Sequence, residues 1–271
     1  AGSLLGAVSA VCLRATDKDY PWFVHYPHAL VSIARYRHWR AAEGEPVQWL
    51  LDVVLSFYSH SQGGGAGAIC FLEGRHVIAY ITRWDYMHFH VAAYLPIYWS
   101  PFDVVFKTVA RPRHPLRLMC IAADALDGSS TACALVDRAL RLQPHNQLLP
   151  IMASVMLFNS GSLYRWLDAL RRGKATKTFL AEPGSGVTRG TVVALLYMCF
   201  GRLLRGGRFR DRTVVAICVL ETLLEVLEDA LGFDAYAGLH KPVLRMLVAL
   251  RDTCHLGPAR PHRPKAVGAG T

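Results

Sequence analysis

The residues in this chain whose types and spacing could do chemistry are charges set in apolar surroundings. Asp103 and Lys107 stand four apart at the end of Tyr94–Lys107, YLPIYWSPFDVVFK. On a helix they share a face and can pair; a structural pair at a helix end and a place at a pore mouth both fit them. Asp124 and Asp127 fall within the apolar stretch Leu118–Val136. A carboxylate in hydrocarbon is costly unless it meets water or a partner, and carboxylates lining a water-filled path favour cations. The other reading is that this stretch lies partly outside a bilayer. Arg117 and Arg189 are the cations at the starts of apolar segments.

None of this has enzymatic spacing. Ser, His and Asp are plentiful, but neither G-x-S-x-G nor H-E-x-x-H occurs. Gly63-Gly64-Gly65-Ala66-Gly67 lacks the lysine of a phosphate-binding loop. His88 and His90 are two apart and point to different sides of a helix, which argues against a metal pair. The 7 cysteines stand singly with no C-x-x-C pair, so they read as buried thiols and no metal site is expected.

The elements that must position these charges are apolar helices. Of 271 residues, 18% are charged and 52% are apolar, with a mean hydropathy of +0.23. That charged share lies below a globular norm of about 25% and suits a multi-span membrane protein. The net charge of +10 raises nucleic acid, but most arginines cluster in short connectors between apolar segments, where membrane orientation signals lie. No nucleic-acid partner is expected.

Seven spans follow in order: Trp22–Tyr36, Gln48–Leu72, Tyr86–Phe106, Leu118–Val136, Leu148–Leu167, Gly190–Leu204 and Thr213–Leu231. The first is weak, interrupted by histidines and Pro27, and Ser3–Leu13 could extend the same region. The third carries Pro96 and Pro101, which membrane bundles tolerate. The sixth is short and is expected to extend at its N-terminal end. Glycines at 63, 64, 65 and 67 in the second span, and Ser160-Gly161 in the fifth, predict kinks that allow close helix approach; a loop competes at the first place. Small-residue breaks three spans apart predict an inverted three-plus-three repeat plus one helix, with spans two and five lining a central path. Glu221, Glu225 and Glu228 recur at helical spacing; either these glutamates face a neighbouring subunit, or Val214–Leu231 is an amphipathic helix lying on the surface.

Residues 1–237 are expected to form the membrane domain, and 238–271 a cytosolic helix followed by a disordered tail. Connectors after spans one, three and five are basic, as is the C-terminal tail. The positive-inside rule puts the C-terminus in the cytosol and the N-terminus in a lumen or outside. Arg202, Arg205, Arg208, Arg210 and Arg212 disagree with that orientation, and nothing in the sequence accounts for them.

At this point the chain resembles a known family, the trimeric intracellular cation (TRIC) channels. YLPIYWSPFDVVFK is similar to that family's third-span signature, an aromatic run followed by P-x-D-x-x-x-K, here Pro101, Asp103 and Lys107. The SQGGGAG segment followed by Glu73-Gly74 resembles its glycine-kinked second helix. SGSLYRWLDALRRG (Ser160–Gly173) resembles the end of its fifth helix. GVTRGTVVALLY (Gly186–Tyr197) resembles the start of its sixth, with Arg189 in place of lysine. The likeness runs from about residue 22 to 233.

The resemblance implies a homotrimer in the endoplasmic or sarcoplasmic reticulum or nuclear membrane, with a pore in each subunit. Potassium would pass to balance calcium movement, amid membrane lipids and without enzymatic activity. It also implies a phosphoinositide headgroup bound beside the fourth helix through the basic residues of a K-E-V-x-R motif. Here the chain departs, because no Lys or Arg occurs between Arg117 and Arg138, and Asp124 and Asp127 occupy that region. The alternative expectation is a membrane scaffold that kept the fold and does not conduct.

Overall fold

A Pro at the first helical position, an N-cap acceptor and a long apolar run start the helix around which the others pack. His114 Nδ1 accepts from the Leu116 N–H at 3.2 Å and Pro115 opens the helix, needing no donor there. The resulting Pro115–Leu142 helix is 28 residues long. The computed structural model describes residues 21–46, 49–58, 65–74, 87–174, 185–203 and 207–253. In chain order the helices are α1 (Pro21–Ala42), α2 (Trp49–Ser56), α3 (Gly65–Leu72), α4 (Met87–Trp99), α5 (Val104–Ala110), α6 (Pro115–Leu142), α7 (Leu148–Arg171), α8 (Ser185–Leu203), α9 (Gly207–Leu231) and α10 (His240–Thr253). Among the described residues there is no strand. The expected all-helical class is what the structure has.

α6 packs against α1, α7, α8 and α9, while α4 packs on α1. One core cluster joins α1, α2 and α4 through Ile33, Val53, Phe89 and Ile97. A second joins α6, α7, α8 and α9 through Val136, Ile151, Val193 and Ile217.

Within the second span the described residues include two helices of 8 residues each, α2 and α3. Gly65 and Gly67 belong to α3, and Gly63 and Gly64 lie outside the described residues. The third span divides, which the sequence did not predict. Pro101 begins a 3-10 turn in which Phe102 and Asp103 take φ of 54° and 58°, a conformation that L side chains rarely adopt. The turn swings Asp103 onto Arg37 of α1 at 3.1 Å, while Lys107 Nζ donates to the Phe102 carbonyl at 2.9 Å. The expected pairing of Asp103 with Lys107 is therefore corrected. Both side chains are used by the turn, Asp103 to reach α1 and Lys107 to cap an exposed carbonyl.

The fifth span departs in the opposite direction. α7 runs as one 24-residue helix through Ser160 and Gly161, so the break expected there does not occur. Ser160 Oγ and Asn159 Nδ2 bond back to their own helix at Leu157 and Val155 carbonyls, both at 2.9 Å. Close approach is supplied by α8 instead. A Cβ on Gly186 would sit 2.6 Å from the Phe158 carbonyl oxygen, and one on Gly190 would sit 2.7 Å from Val155 Cα. These glycines are four apart, the spacing that lets two helix backbones touch.

Among the described residues, one helix passes a length-and-composition test for crossing a membrane. It is α6, whose most apolar window averages 1.2 in hydropathy and is half buried. A shorter apolar helix runs over Ser185–Phe200. α9 is arranged in the reverse sense to a water-facing amphipathic helix. Glu221 is fully buried, whereas Leu220, Leu223, Leu227 and Leu231 point outward and are 44–63% exposed. The reading of this segment as a helix lying on a surface does not hold, because the carboxylates face the bundle.

Gly190→Leu is expected to lower the unfolding stability of the purified protein in detergent by about 1–3 kcal/mol, since backbone and not a flexible side chain fills the space. A thermal melt followed by tryptophan fluorescence that leaves the midpoint unchanged would contradict the contact.

Candidate functional site

Six helices converge on a cavity of about 910 Å³, within the size range of ligand-scale sites. It reaches the end of the bundle where α1 and α7 finish and α6 and α8 begin, since Ala42, Ala110, Pro112, Arg165 and Ser185 line it. Asp124, Asp127, Arg117, Arg189, Ser160 and Gly161 all line it. The structure thus brings six of the sequence-selected residues together. Among the described residues, Asp103, Lys107 and Gly67 are not in its lining, and no described side chain of α2 or α3 is either. Of spans two and five, expected from the sequence to line a central path, the fifth lines this cavity as α7. The other described walls come from α1, α5, α6, α8 and α9, and charges on α1, α6, α8 and α9 pair across it.

Asp124 carries two partners from α1: His28 Nδ1 at 2.6 Å and Arg35 Nη1 at 2.5 Å. Asp127, one turn on, faces His25 Nδ1 at 3.7 Å. Arg117 forks onto Asp229 of α9, with Nε 2.8 Å from each carboxylate oxygen, and Nη1 donates to the Val109 carbonyl at 3.1 Å. Arg189 Nε donates to Glu221 Oε2 at 2.7 Å, its Nη1 pairs with Glu225, and its guanidinium lies 4.9 Å from the Phe158 ring. Glu225 also faces Arg35 at 3.9 Å. Arg165 donates to the Gly161 carbonyl and the Ser162 hydroxyl at 3.2 and 3.3 Å. Charges of both signs therefore line a cavity of ligand scale inside a bundle in which the outer face of α9 carries leucines.

Sequence reasoning missed the α1 half of this set. His25, His28 and Arg35 stand at i, i+3 and i+10, one face of a helix, and Asp124 and Asp127 repeat that three-residue spacing. Matching the two patterns could have found the contact. It also missed a buried network beyond the cavity. Arg40 is 3% exposed at its side chain and meets Asp168 Oδ2 at 3.1 Å and Asp52 Oδ1 at 3.5 Å. Asp168 also takes Arg171 at 3.0 Å and Arg172 at 3.1 Å. Arg172 reaches Glu43 and Glu45, both at 2.8 Å. Lys174 and Arg172 bond to the Glu45 carboxylate and hold it below the usual carboxylate range. No periodicity announces a network drawn from three separate segments, 40–45, 52 and 168–174.

No family model and no curated protein sequence matches this chain. Two solved structures do share its architecture. One is a trimeric intracellular cation channel from C. elegans in the absence of Ca2+. It superposes with a TM-score of 0.60 at 17% identity, covering 86% of this chain and 98% of that one. The other is a trimeric intracellular cation channel from C. elegans with bound Ca2+, with a TM-score of 0.58 at 20% identity over 83% and 98% of the two chains. This chain has the trimeric intracellular cation channel fold. The resemblance read from its motifs and the likeness of the fold agree.

Arg40→Met is expected to destabilise the protein by about 3–5 kcal/mol, because it leaves Asp168 buried beside fewer cations. Arg117→Met, whose pair is 19% and 13% exposed, is expected to cost less than half as much. Thermal unfolding of both variants in one detergent checks the order, and the reverse order would refute the ranking.

Proposed function

We propose that this protein is a multi-span membrane channel for monovalent cations, potassium first, with the ion path entering the bundle through the Asp124–Asp127 cavity. The observation that carries the reading is the inside-out arrangement: ionised residues line an internal space while leucines of α9 face outward. In water that arrangement would leave a long apolar ridge unpartnered. In lipid it is the stable one, since charges gather where other protein groups and water can meet them. Fold likeness to channels points the same way.

The finer parts of the proposal follow from the resemblance. The seven crossings would be α1, α2 with α3, α4 with α5, α6, α7, α8 and α9, arranged as an inverted repeat plus one. The channel would be a homotrimer of the endoplasmic or sarcoplasmic reticulum or nuclear membrane. It would supply counter-ion flow for calcium release and uptake, with its C-terminus cytosolic and its N-terminus luminal. Residues 118–137 hold no Lys or Arg, so a phosphoinositide is not expected at the α6 position.

A second reading has a specific observation behind it. The cavity arginines Arg35 and Arg189 are tied to acids on other helices, a lock that suits a non-conducting scaffold of the same fold. Recording from purified protein in planar bilayers under a potassium gradient separates the two. Potassium-selective steps are expected. Silence across voltages and calcium concentrations would favour the scaffold. Given current, Asp127→Asn is expected to lower cation preference, and an unchanged reversal potential would refute that role.

A further inference from the structure

The segment after α9 is strapped to the bundle at two points, and both touch the neighbourhood of one cavity residue. Gly232 turns the chain with φ of 73°. Glu228 Oε1 then accepts from the Ala235 N–H, and Asp234 Oδ1 from the Tyr236 N–H, each at 2.8 Å. The turn aims Tyr236 inward, where it is 4% exposed and its hydroxyl donates to Glu221 Oε1. Four residues on, His240 Nδ1 lies 2.6 Å from Thr188 Oγ1, and its Nε2 lies 3.0 Å from Asp234 Oδ2. Thr188 precedes Arg189 in α8, and Glu221 holds Arg189 through its other oxygen at 2.7 Å.

A fully buried carboxylate keeps one orientation only while both its oxygens are satisfied. Glu221 has Arg189 on one and Tyr236 on the other. Burial, and then the neighbouring Glu221 charge, push the Tyr236 phenol well above its usual range, so the hydroxyl stays protonated and remains a donor.

We infer that Tyr236 is a positioning residue for the cavity: by locking the Glu221 carboxylate it keeps Arg189 neutralised against Phe158, and so sets the charge the cavity presents to ions. Without the phenol hydroxyl, Glu221 Oε1 is buried with no donor and the carboxylate turns to recover one. Arg189 then keeps Glu225 but loses a fixed partner at Nε. Its guanidinium is less completely neutralised, and the cavity wall becomes more positive. The C-terminal segment would thereby tune ion preference without touching an ion. This rests on the channel reading for its meaning, while the electrostatic effect can be measured without current.

The test uses the full chain in lipid nanodiscs with Ser162→Cys on the cavity wall. Reaction rates with a cationic and an anionic methanethiosulfonate reagent are taken relative to the chain without the added cysteine. Tyr236→Phe is expected to raise the anionic-to-cationic rate ratio by about threefold, and the rise is expected to vanish in an Arg189→Gln background. His240→Gln loosens the strap at Thr188 while leaving Tyr236 on Glu221, and is expected to leave the ratio unchanged. An unchanged ratio in Tyr236→Phe overturns the inference. So does an equal change in both rates, which would mean loosened packing alone. A rise that persists with Arg189→Gln, or one that His240→Gln reproduces, overturns it as well. In bilayers, the same variant should shift the reversal potential toward weaker cation preference. If the wild type is silent the channel reading falls while the thiol chemistry still judges Tyr236; if it conducts and the ratio does not move, the inference falls alone.

Discussion

Ionised side chains inside an apolar helix bundle persist only where opposite charges from other elements meet them, and α6 imposes that demand on the rest of the fold. Its Asp124 and Asp127 are answered by His25, His28 and Arg35 of α1. Its Arg117 is answered by Asp229 of α9. Each pair names a neighbour and a register, so helix order around α6 is specified as much by charge as by apolar packing. α8 obeys the same constraint through Arg189, which needs Glu221 and Glu225 of α9.

Pairing also explains why the cavity survives as a polar space. A bundle of this kind could close on apolar side chains, as it does around Val136, Ile151 and Val193. Where arginine and carboxylate side chains meet from four helices, their length sets the spacing between the backbones. At the opposite extreme, Gly186 and Gly190 bring α8 against the backbone of α7. Close contact at Gly186 and Gly190 and the charge of Arg189 between them set where a space can exist. The segment after α9 adds a further layer, since Tyr236 enters the same carboxylate network from outside the long helices.

Much of this was legible in the sequence. The apolar stretches place α1, α6, α7, α8 and α9 close to where they occur, because a long run with few charges has little choice but to form a helix. Asp124, Asp127, Arg117 and Arg189 stood out as charges in apolar settings, and all four line the cavity. The break at Phe102–Asp103 was not legible, since left-handed residues there are stabilised by Arg37 from another helix. Nor was the continuity of α7, because Ser160 and Asn159 satisfy themselves on their own helix, so a small-residue cluster need not interrupt it.

The chain alone determined an all-helical protein with charges spaced along apolar helices, and its motifs carried the likeness to a channel family. Those are properties of local periodicity and of residue types in order. Which charge meets which, that α1 and α9 contribute to the cavity wall, and that Tyr236 reaches Glu221 were decided only in three dimensions. The physical reason is that ion pairing is indifferent to sequence distance. Arg35 and Asp124 lie 89 residues apart and Arg117 and Asp229 lie 112 apart, and only the folded chain brings them within reach.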